Sequence, residues 1–559
     1  MADRYWVGGS GTWNASSTTN WAATSGGASG ATAPTSADNV FFDANSNVGT
    51  GAFTVTVTGN SGVCADFTVS SLDGAMSLAG SGTWSIYGSF SIPASNFTMT
   101  GSMVITFAAT TTGKTITTNG TSLGGSYINF TGVGGGWTLQ DNITFTGTGS
   151  YFAVDSGTVN LNDKTVSCAI LYFANGFDLT RSITTSTAAT FNVYGNNTTI
   201  VGTNSQSVSN LTITGTLNVY ATYTGSVGSR SCIVSIGNFS ATQAQKINIF
   251  VNGGTDTFSV TFSHNNLDFT GFSGTYGNNS KTIYGNLTLS SGMTVTGGAQ
   301  TTTFGATSGT KTITTNNKIL DFPITFDGVG GTWQLIGNLT MSTVTRTLTL
   351  TNGTFNANGY NVTIGLFSSS NSNTRALQMG GGIWTVLGSG ASTWLLTTST
   401  NMTLTNSNSM IDLTSTTAKT FAGGGLSYGT LRNTGSGALT MTGTNTFVNL
   451  RALANLTLTS STTTTISNTF SMDGRYGSLV YLTSSAAANA TISKASGKVY
   501  TTFCNISKIT ATGGATFRAP ATPLTSYGNV DGGTNSGWTF TAMGATDNPN
   551  PGGFSSFFS

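Results

Sequence analysis

One histidine, His264 in "TFSHNNLDF", supplies the only imidazole in 559 residues. Glutamate is absent, so all 17 acidic side chains are aspartates. That inventory leaves little for a zinc centre or a nucleophile–histidine–acid triad, and His264 reads as a surface or turn histidine. Paired carboxylates remain as a source of chemistry, because glycan cleavage sets two of them about one bond. Two candidate pairs stand close in sequence: Asp155 with Asp163 in "VDSGTVNLND", and Asp321 with Asp327 in "LDFPITFD". Cys64, Cys168, Cys232 and Cys504 lie far apart, each inside a strand-like run such as "VSCAIL". They read as small buried residues rather than a disulfide framework. The runs "GVGGGW" and "GVGGTW" look like phosphate loops but lack the Lys-Ser/Thr that completes one. No catalytic, cofactor-binding or metal-ligating residue is assigned, and no cofactor is expected.

The elements that must hold these residues are short strands. Glycine makes up 75 of the 559 residues, nearly twice the usual share, and charged residues are 6% against a typical ~25%. Thr, Val, Ile, Phe and Tyr suit strands, and Gly and Asn suit corners. Runs such as "FTMTG", "KTITTNG" and "GTVNLND" alternate apolar and polar residues, the signature of a strand with one buried face.

A long internal duplication is the strongest pattern. "IYGSFSIPASNFTMTG" from Ile86 returns as "IYGNLTLSSGMTVTGG" from Ile283, 197 positions on. "GVGGGWTLQDNITF" returns as "GVGGTWQLIGNLTM", with Trp137 matched to Trp333. "SGTVNLNDKTVS" returns as "NGTFNANGYNVT", with Gly157 matched to Gly353. The candidate acids do not follow the duplication: Asp327 falls opposite Thr131, and Asp163 opposite Gly359. A repeated Gly-rich turn followed by Trp reads as a corner, with the indole packing on the next rung.

Two all-β architectures fit: an elongated parallel β-solenoid, and a string of β-sandwich domains. The solenoid is favoured, because no Pro-rich or charged linker divides the chain and there are only 7 prolines. Rungs of about 20–25 residues are expected. A solenoid must close its ends. The segment 1–50 matches nothing later and reads as an N-terminal cap and attachment segment, built on Trp6, Trp13, Trp21, Phe41 and Phe42. The two halves of the solenoid are then 51–255 and 256–520. A C-terminal cap, 521–543, carries Trp538, and an extended tail, 544–559, ends in Phe554, Phe557 and Phe558, a cluster suited to docking on a partner.

Net charge is +2 with the cations scattered, so nucleic-acid binding has no electrostatic footprint. No apolar run reaches the ~18 residues of a membrane span, and the start "MADRYWVGG" lacks the apolar core of a signal peptide. "YWVGGSGTWN", "DNVFFD", "GGTWQLIGNLT" and "DGGTNSGWTF" together resemble Thr/Gly-rich β-strand-repeat proteins of bacteriophage virions and bacterial surfaces. That resemblance implies a non-enzymatic fibre- or spike-like appendage of tail or capsid. Its expected partners are neighbouring virion proteins and a host surface glycan or protein. It would be made in the host cytoplasm and released by lysis, with a homotrimer as the expected oligomer. A bacterial surface adhesin is the alternative, and a polysaccharide-degrading solenoid a third reading.

Overall fold

The computed structural model describes residues 2–542 apart from 48, 60–61, 178, 196–198, 205–206, 223–227, 234–238 and 407. The chain divides into two compact units, Met1–Thr294 and Val295–Ser559, each a parallel β-solenoid. In the first unit a rung is three short strands. Phe67–Val69, Met76–Gly80 and Thr83–Ile86 make one rung, and the chain then returns to Phe90–Ser91, in register with Phe67 and Thr68. Three ladders result. One runs Phe53–Val57, Met76–Gly80, Phe97–Gly101. Another runs Gly62–Cys64, Thr83–Ile86, Val104–Phe107, Tyr127–Phe130. These ladders are parallel, which excludes the β-sandwich alternative, whose sheets pair antiparallel neighbours.

The strands are strands because every second residue points inward. "FTVTV" buries Phe53, Val55 and Val57 and leaves Thr54 exposed. Stacking then places like on like: Ile105 pairs with Ile128, and Phe107 with Phe130. Past the N-terminal segment the rung length varies more than expected, from 17 residues (Leu439 to Leu456) to 32 (Thr199 to Ser231). Extra residues collect at corners, where backbone strain and polar capping take over from core packing. In the second unit the chain also alternates between ladders. Lys419–Ala422, Leu439–Thr442 and Leu456–Leu458 stack in one, and Ser427–Asn433, Thr446–Ala452 and Thr463–Asp473 in the other.

The duplication is preserved in atomic detail. Lys114 lies in register with Trp137, as Lys311 does with Trp333. Asn162 and Asn358 are both left-handed, with φ of 49° and 52°. Each donates a hydrogen bond from its backbone amide: Asn162 N to Asn160 Oδ1 (2.9 Å) and Asn358 N to Asn356 Oδ1 (2.8 Å). Each reaches back one rung, to Leu139 O and Leu335 O. The Gly-rich turns differ. Residues 131–135 leave the strand pattern, whereas Ile324–Ile336 is one long strand whose register breaks between Asp327 and Thr332. The tryptophans after them stand in register with buried Val159 and Phe355 of the next rung and also meet rings behind them. Trp137 meets Phe107 and Phe130 (6.0 and 5.4 Å), and Trp333 meets Phe304 and Phe326 (4.7 and 6.5 Å). The inward phenylalanines on the strands before each corner supply the ring faces.

Candidate functional site

The densest aromatic packing is at the start of the first unit. Asp3–Trp6 pairs parallel with Asn39–Phe42 on one edge. On its other edge lies Trp21–Ala22, which runs antiparallel. A reversed strand cannot continue a parallel coil, so the ladder stops there. Beyond it, Gly30 N and Ala31 N both donate to Trp21 O at 3.0 Å, so a loop and not a further strand meets that carbonyl. Trp6, Trp13, Trp21 and Phe42 are fully buried. Trp6 meets Trp21 edge-on at 5.1 Å, and Trp21 meets Trp13 edge-on at 5.2 Å. Trp13 then stacks on Phe67 (6.4 Å) and abuts Trp84 (5.9 Å), joining the cluster to the core of the rungs. Trp6 Nε1 donates to Gly9 O at 2.7 Å. Phe41 stands apart: strand alternation turns it to the other face, where it stacks on Tyr5 at 4.9 Å. Trp538 is half-buried and meets Phe517 edge-on at 5.1 Å. Phe554, Phe557 and Phe558 lie outside the described residues.

The four candidate acids hold corners, each on a different segment. Asp155 is fully buried, and its Oδ1 accepts from the amides of Asn175 (2.5 Å) and Gly176 (3.0 Å). Asp163 accepts from the hydroxyls of Ser186 and Thr185 and from the Thr187 amide, which hold its carboxyl well below the usual range. Asp321 accepts from the Thr343 amide (2.7 Å) and hydroxyl (2.6 Å). Burial pushes its carboxyl up, but those bonds and the Arg346 charge bring it below the ordinary value. Asp327 accepts from Asn352 Nδ2 at 2.6 Å. In every case the partner lies on the chain's next pass, so these carboxylates cap backbone and neighbours instead of converging in pairs.

His264 is not at the surface. It is fully buried, in register with Ile283 of the next rung. Its Nδ1 lies 2.9 Å from Phe262 O and donates to it, while Nε2 has no partner among the described residues. Burial, with the nearby Lys281 charge, drives its pKa down to about 3 against a gain from the Phe262 carbonyl. A histidine following "TFS" continues the inward alternation of Phe258, Val260 and Phe262. The alternation holds through a polar run that reads as a turn, which is why composition misplaces it. Lys281 is also buried, 4.9 Å over the Tyr276 ring, and burial lowers its pKa to about 7. All four cysteines are free and buried, and burial pushes the thiols of Cys168 and Cys504 up to about 12. Among the described residues no three His, Cys or Asp side chains converge as a metal site would require.

The residues that sequence reading missed are buried cations. Arg375 is 2% exposed yet sits among oxygens. Its Nε donates to Ser369 Oγ (2.8 Å), Nη1 to Asn373 O (2.9 Å) and Thr400 O (3.0 Å), and Nη2 to Ser369 O and Thr398 O (both 2.7 Å). Arg181 does the same work in the first unit, giving bonds to Phe173 O, Leu179 O and Ser207 O. Lys419 reaches Ser415 O (2.6 Å) and Gly437 O (3.0 Å). Each cation is in register with a left-handed glycine of the rung before: Gly157, Gly353 and Gly390. The corner carbonyls are drawn together by one planar guanidinium or one ammonium. The recurrence of Thr180-Arg181 as Thr374-Arg375, just past the duplicated stretch and at an offset shorter by two residues than that of Gly157 and Gly353, was the available signal.

Compared with protein families, curated proteins and solved structures, the chain matches none.

Proposed function

We propose that this chain is a non-enzymatic structural protein of a bacteriophage virion, a fibre- or spike-like appendage that contacts the host surface or neighbouring virion proteins. The observation that carries this reading is where the polar groups go. Acids, cations and asparagines are turned onto the backbone of adjacent rungs, as in a scaffold, and the candidate acids stand singly at separate corners. The likeness of "YWVGGSGTWN" and "GGTWQLIGNLT" to β-strand-repeat proteins of virions supports the same choice. The described residues contain no helix long and apolar enough to cross a membrane. Immunogold electron microscopy on purified phage particles and on cell envelopes tests it. Label on particles is the expected result. Label confined to cell envelopes overturns it in favour of a surface adhesin, and turnover of a purified host glycan overturns its non-enzymatic part.

A further inference from the structure

The last rungs of the second unit expose large apolar side chains, among them Tyr476, Tyr481 and Val530. Tyr481 is 49% exposed on the strand Val480–Ser484, and Val530 is 41% exposed two rungs on. Register places them in one outward column: Tyr481 pairs with Asn505, and Asn505 with Val530. On the rung before, Asn455 is exposed and holds the Tyr481 amide through its Oδ1 at 2.9 Å. The tyrosine ring thus stands between two amide side chains, one rung away on either side, at the ~4.8 Å spacing of stacked strands. Beside this column runs a second, Thr457, Thr483 and Ser507, with the Thr483 and Ser507 hydroxyls bonded at 3.0 Å. Neither column carries a charged side chain.

We infer that this face binds a neutral, hydroxyl-rich glycan, with Tyr481 as the stacking platform and Asn455, Asn505 and the Thr483–Ser507 hydroxyls as hydrogen-bond partners. An aromatic ring offers its face to the C–H side of a sugar, and flanking amides and hydroxyls match its donors and acceptors. The two columns hold no cation, and the carboxylate of Asp531 is exposed beside Val530, so a neutral polymer is favoured over an anionic one. A second protein is a poorer fit, because a stable protein interface needs a fully buried apolar centre and roughly 800 Å² per partner, whereas this strip sets one ring among amides and hydroxyls. The inference deepens the host-contact reading and rests on it for biological meaning. Its test is independent: absence of label on particles sinks the virion reading alone.

The experiment is affinity electrophoresis of the full chain through native gels containing dextran, mannan or xyloglucan, with alginate as the polyanionic control. The expected result is retardation by at least one neutral polymer and not by alginate. Tyr481→Ala should weaken it by at least about tenfold, the equivalent of 1.4 kcal/mol, and Asn505→Ala should weaken it as well. Tyr481→Phe should retain binding within about threefold, and Tyr87→Ala, an exposed tyrosine of the first unit, should leave it unchanged. Failure of all three neutral polymers to retard the chain overturns the inference. So does unchanged retardation of Tyr481→Ala, or a loss of oligomeric state in that variant by sedimentation, which would mark a protein interface.

Discussion

At the residue scale, the buried bases govern how the fold responds to acid. His264 has a folded pKa of about 3, below its free value of 6.5, so between those values it is neutral in the folded chain and takes up a proton on unfolding. The unfolded state binds the extra proton between those values, so stability is intact above 6.5 and is lost as pH falls toward 3. Lys281 acts in the same sense between its free value of 10.5 and about 7. Chemical denaturation across pH should show the first unit losing about 1.4 kcal/mol per pH unit below pH 6 from His264. His264→Gln should flatten that limb. Trp13 illustrates packing instead of charge. Trp13→Ala removes a fully buried ring that touches Trp21, Phe67 and Trp84, and should cost about 3–5 kcal/mol in a denaturant titration. A ring held only for ligand contact would move affinity and leave stability alone.

At the element scale, the corners decide the fold as much as the strands do. Gly353 sits at φ 70°, and a Cβ there would lie 2.2 Å from Gly328 O, so no L side chain fits. Opposite it, the Arg375 guanidinium collects oxygens from its own corner and from the next rung. Arg375→Ala strips those oxygens of their donor, at ~1–3 kcal/mol for each that water cannot reach, the buried Ser369 carbonyl and hydroxyl first. The variant should unfold at least about 3 kcal/mol earlier than the native chain in urea. Arg375→Lys should recover little, because an ammonium lacks the planar fork that spans five acceptors. The N-terminal edge works by direction: Trp21–Ala22 runs against its neighbour and ends the parallel ladder without a charged or proline-bearing strand.

At the scale of the whole molecule, stability comes from repetition and not from ions. Among the described residues the ion pairs are Arg230–Asp256 at 3.4 Å and Arg432–Asp412 at 2.6 Å. Both pairs are largely buried, where desolvation offsets much of the Coulomb gain and salt screens little. Raising NaCl from about 0.05 to 0.5 M, which shortens screening from over 10 Å to a few ångström, should therefore shift the thermal midpoint by less than about 3 °C. The four thiols, all buried in strands, should resist a maleimide in the native chain and react fully in denaturant, as a mass shift will show. Partial labelling of the native chain would mean that the rungs open more readily than their packing implies.

The one-face alternation of "FTVTV" and "FTMTG", the Gly and Asn corners and the near-gapless return of "IYG…KTITTN" determine stacked strands of a parallel solenoid, because period and repeat are properties of the linear chain. Corner chemistry is not linear. Asp155, Asp163, Asp321 and Asp327 look like paired acids in sequence, yet each meets groups 20 to 25 residues on. The pairing that matters runs between rungs of unequal length. The same holds for His264, whose burial follows from strand parity through a polar stretch, and for Arg181 and Arg375, whose Thr-Arg recurrence hints at a shared role but whose acceptors, mostly main-chain carbonyls, are gathered only by the corners. Only the tertiary structure brings Asn455, Tyr481 and Asn505 into adjacent places. A sheet built by stacking rungs makes neighbours of residues about two dozen positions apart, and register, which depends on every corner before it, decides which ones.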